Sequence, residues 1–164
     1  MNEALQELVD ARALEQHLIA YFERIDANDP EAAARFLADD VEFEIMTGQR
    51  FTGRDRFARK VARVVDAYAA TSHHVSNFKC AIDGDRATSS CYVYAFHRMA
   101  ATGDTWHLWV RIEDRYARTA DGWTITEHVL RGVDSQPRRE DIPPDWYAGH
   151  RGRLVREPVP RRPA

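Results

Sequence analysis

Cysteine is scarce in this 164-residue sequence, which contains two, Cys80 and Cys91. They flank the turn signal Asp83-Gly84-Asp85, which predicts that they lie on the two arms of one hairpin. A two-residue loop pairs Cys80 with Ala87 and Cys91 with Ser76, whereas a three-residue loop places the cysteines on opposite faces. Neither register brings the two Cα atoms within disulfide range, and without a Cys-x-x-Cys pattern nothing indicates a structural zinc site.

Long apolar runs and an excess of positive charge are also absent. No stretch of 18 apolar residues occurs, so we expect no membrane-spanning helix. The sequence has 23 Lys and Arg against 26 Asp and Glu, a net charge of −3, and neither nucleic acid nor an anionic membrane is an expected partner. The N-terminal stretch MNEALQELVD carries acids where a secretory signal carries basic residues, which predicts a cytoplasmic protein.

What the sequence does have is the balance of a globular domain, with 44% hydrophobic and 30% charged residues. We expect one domain over residues 1–133, followed by a tail over residues 134–164 that holds six of the seven prolines. Trp146 and Tyr147 in this tail indicate docking on the domain or on a second subunit, and a disordered tail is the alternative.

Apolar spacing predicts three helices before residue 71. The first ends near Asp26, and the second has Asp29 as its N-cap and Pro30 at its first position, and runs through Leu37. The apolar stripes are Leu14, Leu18, Tyr21, Phe22 and Ile25 in the first helix and Phe57, Val61, Val64, Val65 and Tyr68 in the third.

The remaining elements are predicted to be strands. Residues 41–45 alternate as a short strand, and from Ser72 onward the apolar residues repeat with a period of two. Turn signals at residues 83–84, 101–104 and 120–122 separate long strands in this second half. Because no crossover helix lies between these strands, we expect an α+β domain whose helices cover one face of a mostly antiparallel sheet.

Asp26 and the nearby histidines are the first candidates for chemistry. A histidine that is oriented by a carboxylate is a good general base, because the carboxylate fixes its tautomer and stabilises the imidazolium. Tyr21 lies five residues before Asp26, about 140° away around the helix. Asp26 either turns inward at the end of the helix or closes the turn before Asp29 and points at water.

His73 and His74 are adjacent on a strand, so one of them faces inward. Alternation with the apolar residues that follow favours His74. An odd-length hairpin loop with a bulge at Gly84 places His73 on the face of His97, and an even-length loop places His74 there. His97 ends a row of small side chains that suits either a cavity wall or close packing against a helix. The other histidines expected at the surface or at an edge are His107, His128 and His150.

Four strings now indicate a family. The chain resembles the SnoaL-like branch of the nuclear transport factor 2-like superfamily, a cone-shaped α+β fold shared by scytalone dehydratase, bile acid dehydratase and hexachlorocyclohexane dehydrochlorinase. The resemblance covers about residues 11–133. It rests on Tyr21-Phe22-Glu23-Arg24-Ile25-Asp26, on residues 36–43, on Thr71-Ser72-His73-His74-Val75-Ser76-Asn77, and on Asp114-Arg115-Tyr116 with residues 121–125. The expected fold is three N-terminal helices packed on a curved, mostly antiparallel sheet.

The resemblance also implies roles for individual residues. In the lyases of this superfamily an aspartate at the end of the first helix pairs with a histidine, and the matching residues are Asp26 and His73. His97 resembles a second pocket histidine, and Tyr21 resembles a tyrosine that precedes the aspartate. These four are the expected catalytic residues. The expected substrate-binding residues are His74, Tyr94, Trp109 and Phe57, and no metal or cofactor is expected.

The resulting interpretation is a cofactor-independent lyase, most simply a dehydratase, acting on a small hydrophobic hydroxy-carbonyl or ring compound. Isomerisation or polyketide-type cyclisation needs the same base and is one alternative. A second alternative is a non-catalytic role, either as the small subunit of a ring-hydroxylating dioxygenase or as a binding module. We expect a homodimer or homotrimer formed through the outer sheet face, where Tyr92, Tyr94 and Phe96 lie if His97 faces inward.

Overall fold

The computed structural model describes residues 3–137, which form three helices and a six-stranded sheet. The strand order is β2-β1-β6-β5-β4-β3. Every neighbouring pair is antiparallel except β1 with β6, which is parallel. The elements are α1 (Glu3–Asp26), α2 (Pro30–Ala34), β1 (Leu37–Glu44), β2 (Arg50–Thr52), α3 (Arg54–Val65), β3 (Tyr68–Asp83), β4 (Arg86–Met99), β5 (Thr105–Thr119) and β6 (Gly122–Gln136).

The predicted α+β architecture is confirmed, with small differences at the ends of the elements. The side chain of Asp29 accepts a hydrogen bond from the Ala32 N–H at 2.9 Å and caps α2, as expected. The helix ends at Ala34 rather than near Leu37, because Leu37 is already paired with Ile125 of β6. The sheet continues through Gln136, and the predicted contacts of Trp146 and Tyr147 lie outside the described residues.

Helix α1 lies against the sheet through its predicted stripe. The side chains of this stripe are at least 96% buried at Leu14, Leu18 and Tyr21, so the helix covers the hydrophobic core. Near its N-terminal end Asp10 accepts two hydrogen bonds from Arg118, at 2.9 and 2.8 Å, and a third from Trp123 Nε1 at 3.3 Å. These bonds attach the helix to β5 and β6 and lower the pKa of Asp10 to about 2, against the opposing effect of burial.

The β3–β4 hairpin decides which histidine faces inward. Its loop is Gly84-Asp85, since Asp83 pairs with Arg86, and Cys80 opposes Ser89. Both cysteine registers predicted from the sequence are therefore wrong, because the loop lies one residue later than the turn signal suggested; the cysteines are free.

A bulge then changes the direction of the side chains. Between Ser76 and Lys79 two residues of β3 oppose one of β4, and Asn77 there has a φ of 53°. The extra residue shifts the alternation, so His73 pairs with Ala95 and lies on the inner face with His97 despite the even-length loop. For an even-length loop the sequence analysis placed His74 on the face of His97; that placement was wrong because of the bulge, and His74 does not face inward.

The two faces of the sheet differ sharply in burial. On β4 and β5 the inner residues are buried at almost every position, including Val93, Ala95, His97, Leu108 and Val110. The outer face carries Tyr92, Tyr94, Phe96, His107 and Trp109, which are half-buried or exposed. Between residues 3 and 137, no helix is long and apolar enough to cross a membrane.

Candidate functional site

Asp26 and His73 form a hydrogen-bonded pair where α1 ends against β3. The Nδ1 atom of His73 lies 2.6 Å from Oδ1 of Asp26, and the His73 backbone N–H donates to Oδ2 at 2.8 Å. The hydroxyl of Thr71 donates to Oδ1 at 2.7 Å. Three bonds from one strand therefore hold the carboxylate at the helix end, so that Asp26 turns inward rather than capping the turn.

These bonds also fix the state of the carboxyl group. Burial alone raises the pKa of Asp26, but the hydrogen bonds and charge of His73, together with the Thr71 hydroxyl, bring it below its usual value. Asp26 is thus a carboxylate at neutral pH and can only accept from His73. It follows that Nδ1 donates to Asp26, which leaves Nε2 as the ring nitrogen that can exchange a proton with a ligand.

The plane of His73 is held by its neighbours. The ring of Phe22 stacks on it with a centroid distance of 4.9 Å and an interplanar angle of 17°. The His73 side chain retains 12% of its accessible surface and that of Asp26 retains 25%. The pair is thus fixed in orientation while both side chains keep part of their surface accessible.

His97 lies beside this pair on the inner face. Its ring is perpendicular to that of His73 with centroids 5.7 Å apart, and it is packed between Tyr68 at 4.7 Å and Trp106 at 4.8 Å. Burial first, and then the charge of His73, lower the pKa of His97 to about 4, against the weaker effect of a backbone bond with Trp106. His97 is therefore a neutral imidazole at neutral pH.

The Nδ1 atom of His97 has no hydrogen-bond partner among the described residues, although the residue is 93% buried. A buried polar atom without a hydrogen-bond partner lowers the stability of the folded protein, and a polar ligand that bonds to it removes this cost. This atom is an unpaired polar group on the inner face, on the residue next to the Asp26–His73 pair.

Tyr21 and Phe57 lie deeper in the core. The Tyr21 ring contacts Phe22 at 4.9 Å, Phe57 at 6.0 Å and His128 at 5.5 Å, between ring centroids. Burial, and secondarily the charge of Asp114, hold the pKa of Tyr21 well above its usual value. Its hydroxyl therefore stays protonated and is a hydrogen-bond donor over the whole physiological range.

The other three expected substrate-binding residues are not part of this site. His74, Tyr94 and Trp109 lie in one row across the outer face, where His74 pairs with Tyr94 and Tyr94 with Trp109. The prediction that they line the same pocket was wrong. His74 follows His73 directly and so points to the opposite face, and Tyr94 and Trp109 share that face through the pairing. Tyr94 instead bonds His107 on the outer face, with 2.6 Å between its hydroxyl and Nδ1.

A second Asp–His pair was missed by the sequence analysis. The Nδ1 atom of His128 lies 2.6 Å from Oδ1 of Asp114, and the side chains retain 1% and 0% of their accessible surface. Tyr116 donates to Oδ2 of Asp114 at 3.0 Å. The expectation of a surface position for His128 was wrong. Asp114 alternates with the buried residues Ile112 and Tyr116, and this was an available signal. His128 is out of phase with Trp123 and Ile125 and faces inward because the pairing shifts between Arg115 and Tyr116, which the sequence did not reveal.

Among the described residues, the ionisable side chains of the inner face do not form a metal site. Within residues 3–137 no group of three or more His, Cys, Asp or Glu side chains is arranged to hold a metal ion. Asp26, His73 and His97 are neighbours, but the Nδ1 atom of His73 is already bonded to Asp26.

Known proteins share this architecture. A protein provisionally described as a scytalone dehydratase from Novosphingobium aromaticivorans superposes with a TM-score of 0.76 and 25% identity, over 81% of this chain and 90% of that one. A type 2 hexachlorocyclohexane dehydrochlorinase superposes with a TM-score of 0.73 and 17% identity, over 87% and 99% of the two chains, which establishes a shared fold. An uncharacterised protein of Mycobacterium tuberculosis is 26% identical over 132 residues, 77% of this chain and 87% of that protein.

The family predicted from the four sequence strings is confirmed. The match to the SnoaL-like domain extends over residues 6–129, from the first turns of α1 to the middle of β6. It includes both Asp–His pairs and His97. The chain belongs to the SnoaL-like family.

Proposed function

We propose that this protein is a cofactor-independent lyase, a dehydratase acting on a small hydrophobic hydroxy-carbonyl or ring compound. The observation that carries the proposal is the Asp26–His73 pair, with its 2.6 Å bond and a free Nε2 atom on the inner face. Such a pair is the arrangement that general-base catalysis at carbon requires, because the base is oriented before the substrate arrives.

The reaction takes two proton transfers at one residue. The Nε2 atom of His73 removes the proton next to the substrate carbonyl, and the electron pair of that C–H bond forms an enolate. The carboxylate of Asp26 stabilises the resulting imidazolium through its bond to Nδ1. The enolate then collapses to a carbon–carbon double bond as the β C–O bond breaks, and His73 returns its proton to the departing hydroxyl, which leaves as water.

Two neutral groups complete the site. His97 stays neutral at pH 7, so its role is a hydrogen bond to the substrate rather than protonation of the leaving group. The hydroxyl of Tyr21 remains protonated and donates to the enolate oxygen. One such donor is worth about 10²- to 10³-fold in rate.

The comparisons support an elimination at the level of the family. The names of the two structurally similar proteins, a dehydratase and a dehydrochlorinase, both denote removal of a small molecule across a carbon–carbon bond. The substrate of this chain and the order of its steps are part of the proposal.

The test compares three variants on a panel of β-hydroxy ketones, with formation of the conjugated enone followed by ultraviolet absorbance. We expect Asp26→Asn and His73→Ala to keep the fold and to lower kcat by at least about 10³-fold, since the base loses its orientation or its nitrogen. The matched control is His74→Ala, which removes the neighbouring histidine on the outer face and should leave kcat unchanged.

Product analysis separates the enzymatic alternatives. An isomerase or a cyclase uses the same base but forms an isomer or a new ring without loss of water. Turnover that survives in His73→Ala would show that His73 is not the base, and loss of folding in both site variants would show that the pair is structural. A wild type that binds these compounds without converting any of them would indicate a binding module.

We also propose that copies of the chain associate as a homodimer or homotrimer through the outer sheet face. Tyr92, Trp109 and Val133 are 39%, 37% and 39% exposed there, unusually high values for large apolar side chains on a sheet. A groove of about 520 Å³ lies on the same face, and its lining includes His107 and Trp109.

A further inference from the structure

The Asp114–His128 pair has no part in the reaction proposed above, yet it is the most deeply buried ionisable pair of the described residues. The two residues face each other across β5 and β6, and His128 also pairs with Phe43 of β1. The pair therefore stands at the centre of the inner face, where a purely apolar contact would cost less to bury.

The hydrogen bonds of this pair form a directed chain. Tyr116 donates its only hydroxyl proton to Oδ2 of Asp114, so Ser89, 3.1 Å from the Tyr116 oxygen, is the donor in that bond. His128 donates to Oδ1 from 2.6 Å. Both carboxylate oxygens are thus occupied, and the ring of His128 is held rigidly in one plane.

The ring of His128 is in edge-to-face contact with the ring of Tyr21. The centroids of His128 and Tyr21 are 5.5 Å apart at an angle of 62°, so an edge of one ring faces the other. The remaining ring contacts of Tyr21 are with Phe22 and Phe57, neither of which can hydrogen-bond. Of these three neighbours only His128 is fixed to the sheet by a charge-assisted bond.

We propose that the Asp114–His128 pair is a positioning device, which holds the Tyr21 ring in the orientation needed to donate to the substrate oxygen. The inference rests on the proposed function for its consequence in catalysis. The effect of His128 on the orientation of the Tyr21 ring does not depend on that function. In this proposal His128, whose side chain is 1% exposed, acts through its contact with Tyr21.

The first variant is His128→Asn. Its side-chain amide keeps a donor near the position of Nδ1, but the substitution removes the imidazole ring that contacts Tyr21. Its matched control is Ser89→Ala, which removes the far end of the hydrogen-bond chain and leaves the Asp114–His128 bond intact. Asp114→Asn is the second variant, which keeps the shape of the side chain and removes its charge.

Two readouts distinguish positioning from a structural role. In protein labelled at tyrosine ¹³Cζ, the Tyr21 signal, assigned by its loss in Tyr21→Phe, should move in His128→Asn and Asp114→Asn and stay in place in Ser89→Ala. In kinetics, His128→Asn should lower kcat about tenfold to hundredfold at unchanged KM. In the Tyr21→Phe background it should have no further effect, because both changes remove the same interaction.

The outcomes separate the two proposals. A Tyr21 signal that does not move in either pair variant, or a full additional loss of kcat in the Tyr21→Phe background, would overturn the positioning role. Absence of turnover in the wild type on every hydroxy-carbonyl compound would overturn the lyase, while the Tyr21 signal would still decide the inference. A shift in that signal together with the non-additive loss of kcat would support both.

Discussion

His73 and His97 have the same side chain and neighbouring positions, but the structure gives them opposite properties. His73 is bonded to a carboxylate, and its proton-accepting nitrogen is defined by that bond. His97 is enclosed by two aromatic rings, has no carboxylate partner, and its pKa is lowered to about 4. One residue is suited to moving a proton and the other to a neutral hydrogen bond.

The lowered pKa of His97 predicts a loss of stability as the pH falls from 7 to 5. The unfolded chain protonates this histidine near pH 6.5, whereas the folded protein does so only near pH 4. Between these values the unfolded state binds more protons, so the free energy of unfolding decreases as the pH falls. We expect this residue to account for about 2 kcal/mol at pH 5, measured by urea unfolding of wild type and His97→Gln at both pH values.

The control for this measurement is His74→Gln, which changes an exposed histidine. The lowered pKa values of Asp10 and Asp26 affect stability only as the pH falls below the ordinary aspartate value of 3.8, outside the chosen window. An equal loss of stability in wild type and His97→Gln would contradict the prediction.

Among the elements, β3 depends on one bulge for the direction of its histidines. Asn77 has a φ of 53°, a left-handed conformation that asparagine and glycine tolerate and that β-branched residues do not. We expect Asn77→Val to lower the free energy of unfolding by about 1–3 kcal/mol and Asn77→Gly to leave it nearly unchanged. Urea unfolding at pH 7 measures both variants.

Ser76→Val is the matched control, because Ser76 is the exposed neighbour and lies in the regular part of the strand. Equal effects of valine at positions 76 and 77 would show that the conformation of Asn77 carries no strain. A large loss in Asn77→Val together with loss of activity would connect the bulge to the placement of His73.

The same bulge explains what the sequence could and could not predict. Helix stripes, the Asp29 cap and the strand periods are local signals, and they gave the α+β architecture correctly. Which side chains of β3 face inward depends on a single inserted residue at the bulge, and alternation alone does not reveal that residue. Family resemblance selected His73 correctly where alternation had favoured His74.

The Asp114–His128 pair shows a second limit of sequence reasoning. Its partners are 14 residues apart on different strands, so they meet only through the register of β5 and β6. Aspartate is ordinarily exposed and histidine is often only partly buried. The sequence analysis therefore expected His128 at the surface or at an edge. Register between strands, rather than the type of residue, decides whether such a pair becomes buried.

In the molecule as a whole, the sheet separates two sets of aromatic and histidine residues. The inner set includes Tyr21, His73 and His97 and lies beneath α1, whereas the outer set includes Tyr94 and Trp109 and is uncovered by any described helix. The proposed reaction and the proposed assembly thus use opposite faces of one sheet.

This separation gives the last prediction. If copies associate through the outer face, Trp109→Glu places a charge in the middle of the apolar contact and should convert the oligomer to monomer in sedimentation velocity. Val64→Glu is the control, because Val64 is 50% exposed on α3 and lies away from the outer sheet face. A wild type that sediments as a monomer, or a Val64→Glu variant that dissociates equally, would contradict the interface.

The activity of the same variant tests whether the two faces of the sheet are independent. Since Trp109 lies on the opposite face from His73, a monomeric Trp109→Glu that retains turnover would show that each subunit works alone. Loss of turnover in that monomer would show that the assembly supports the site.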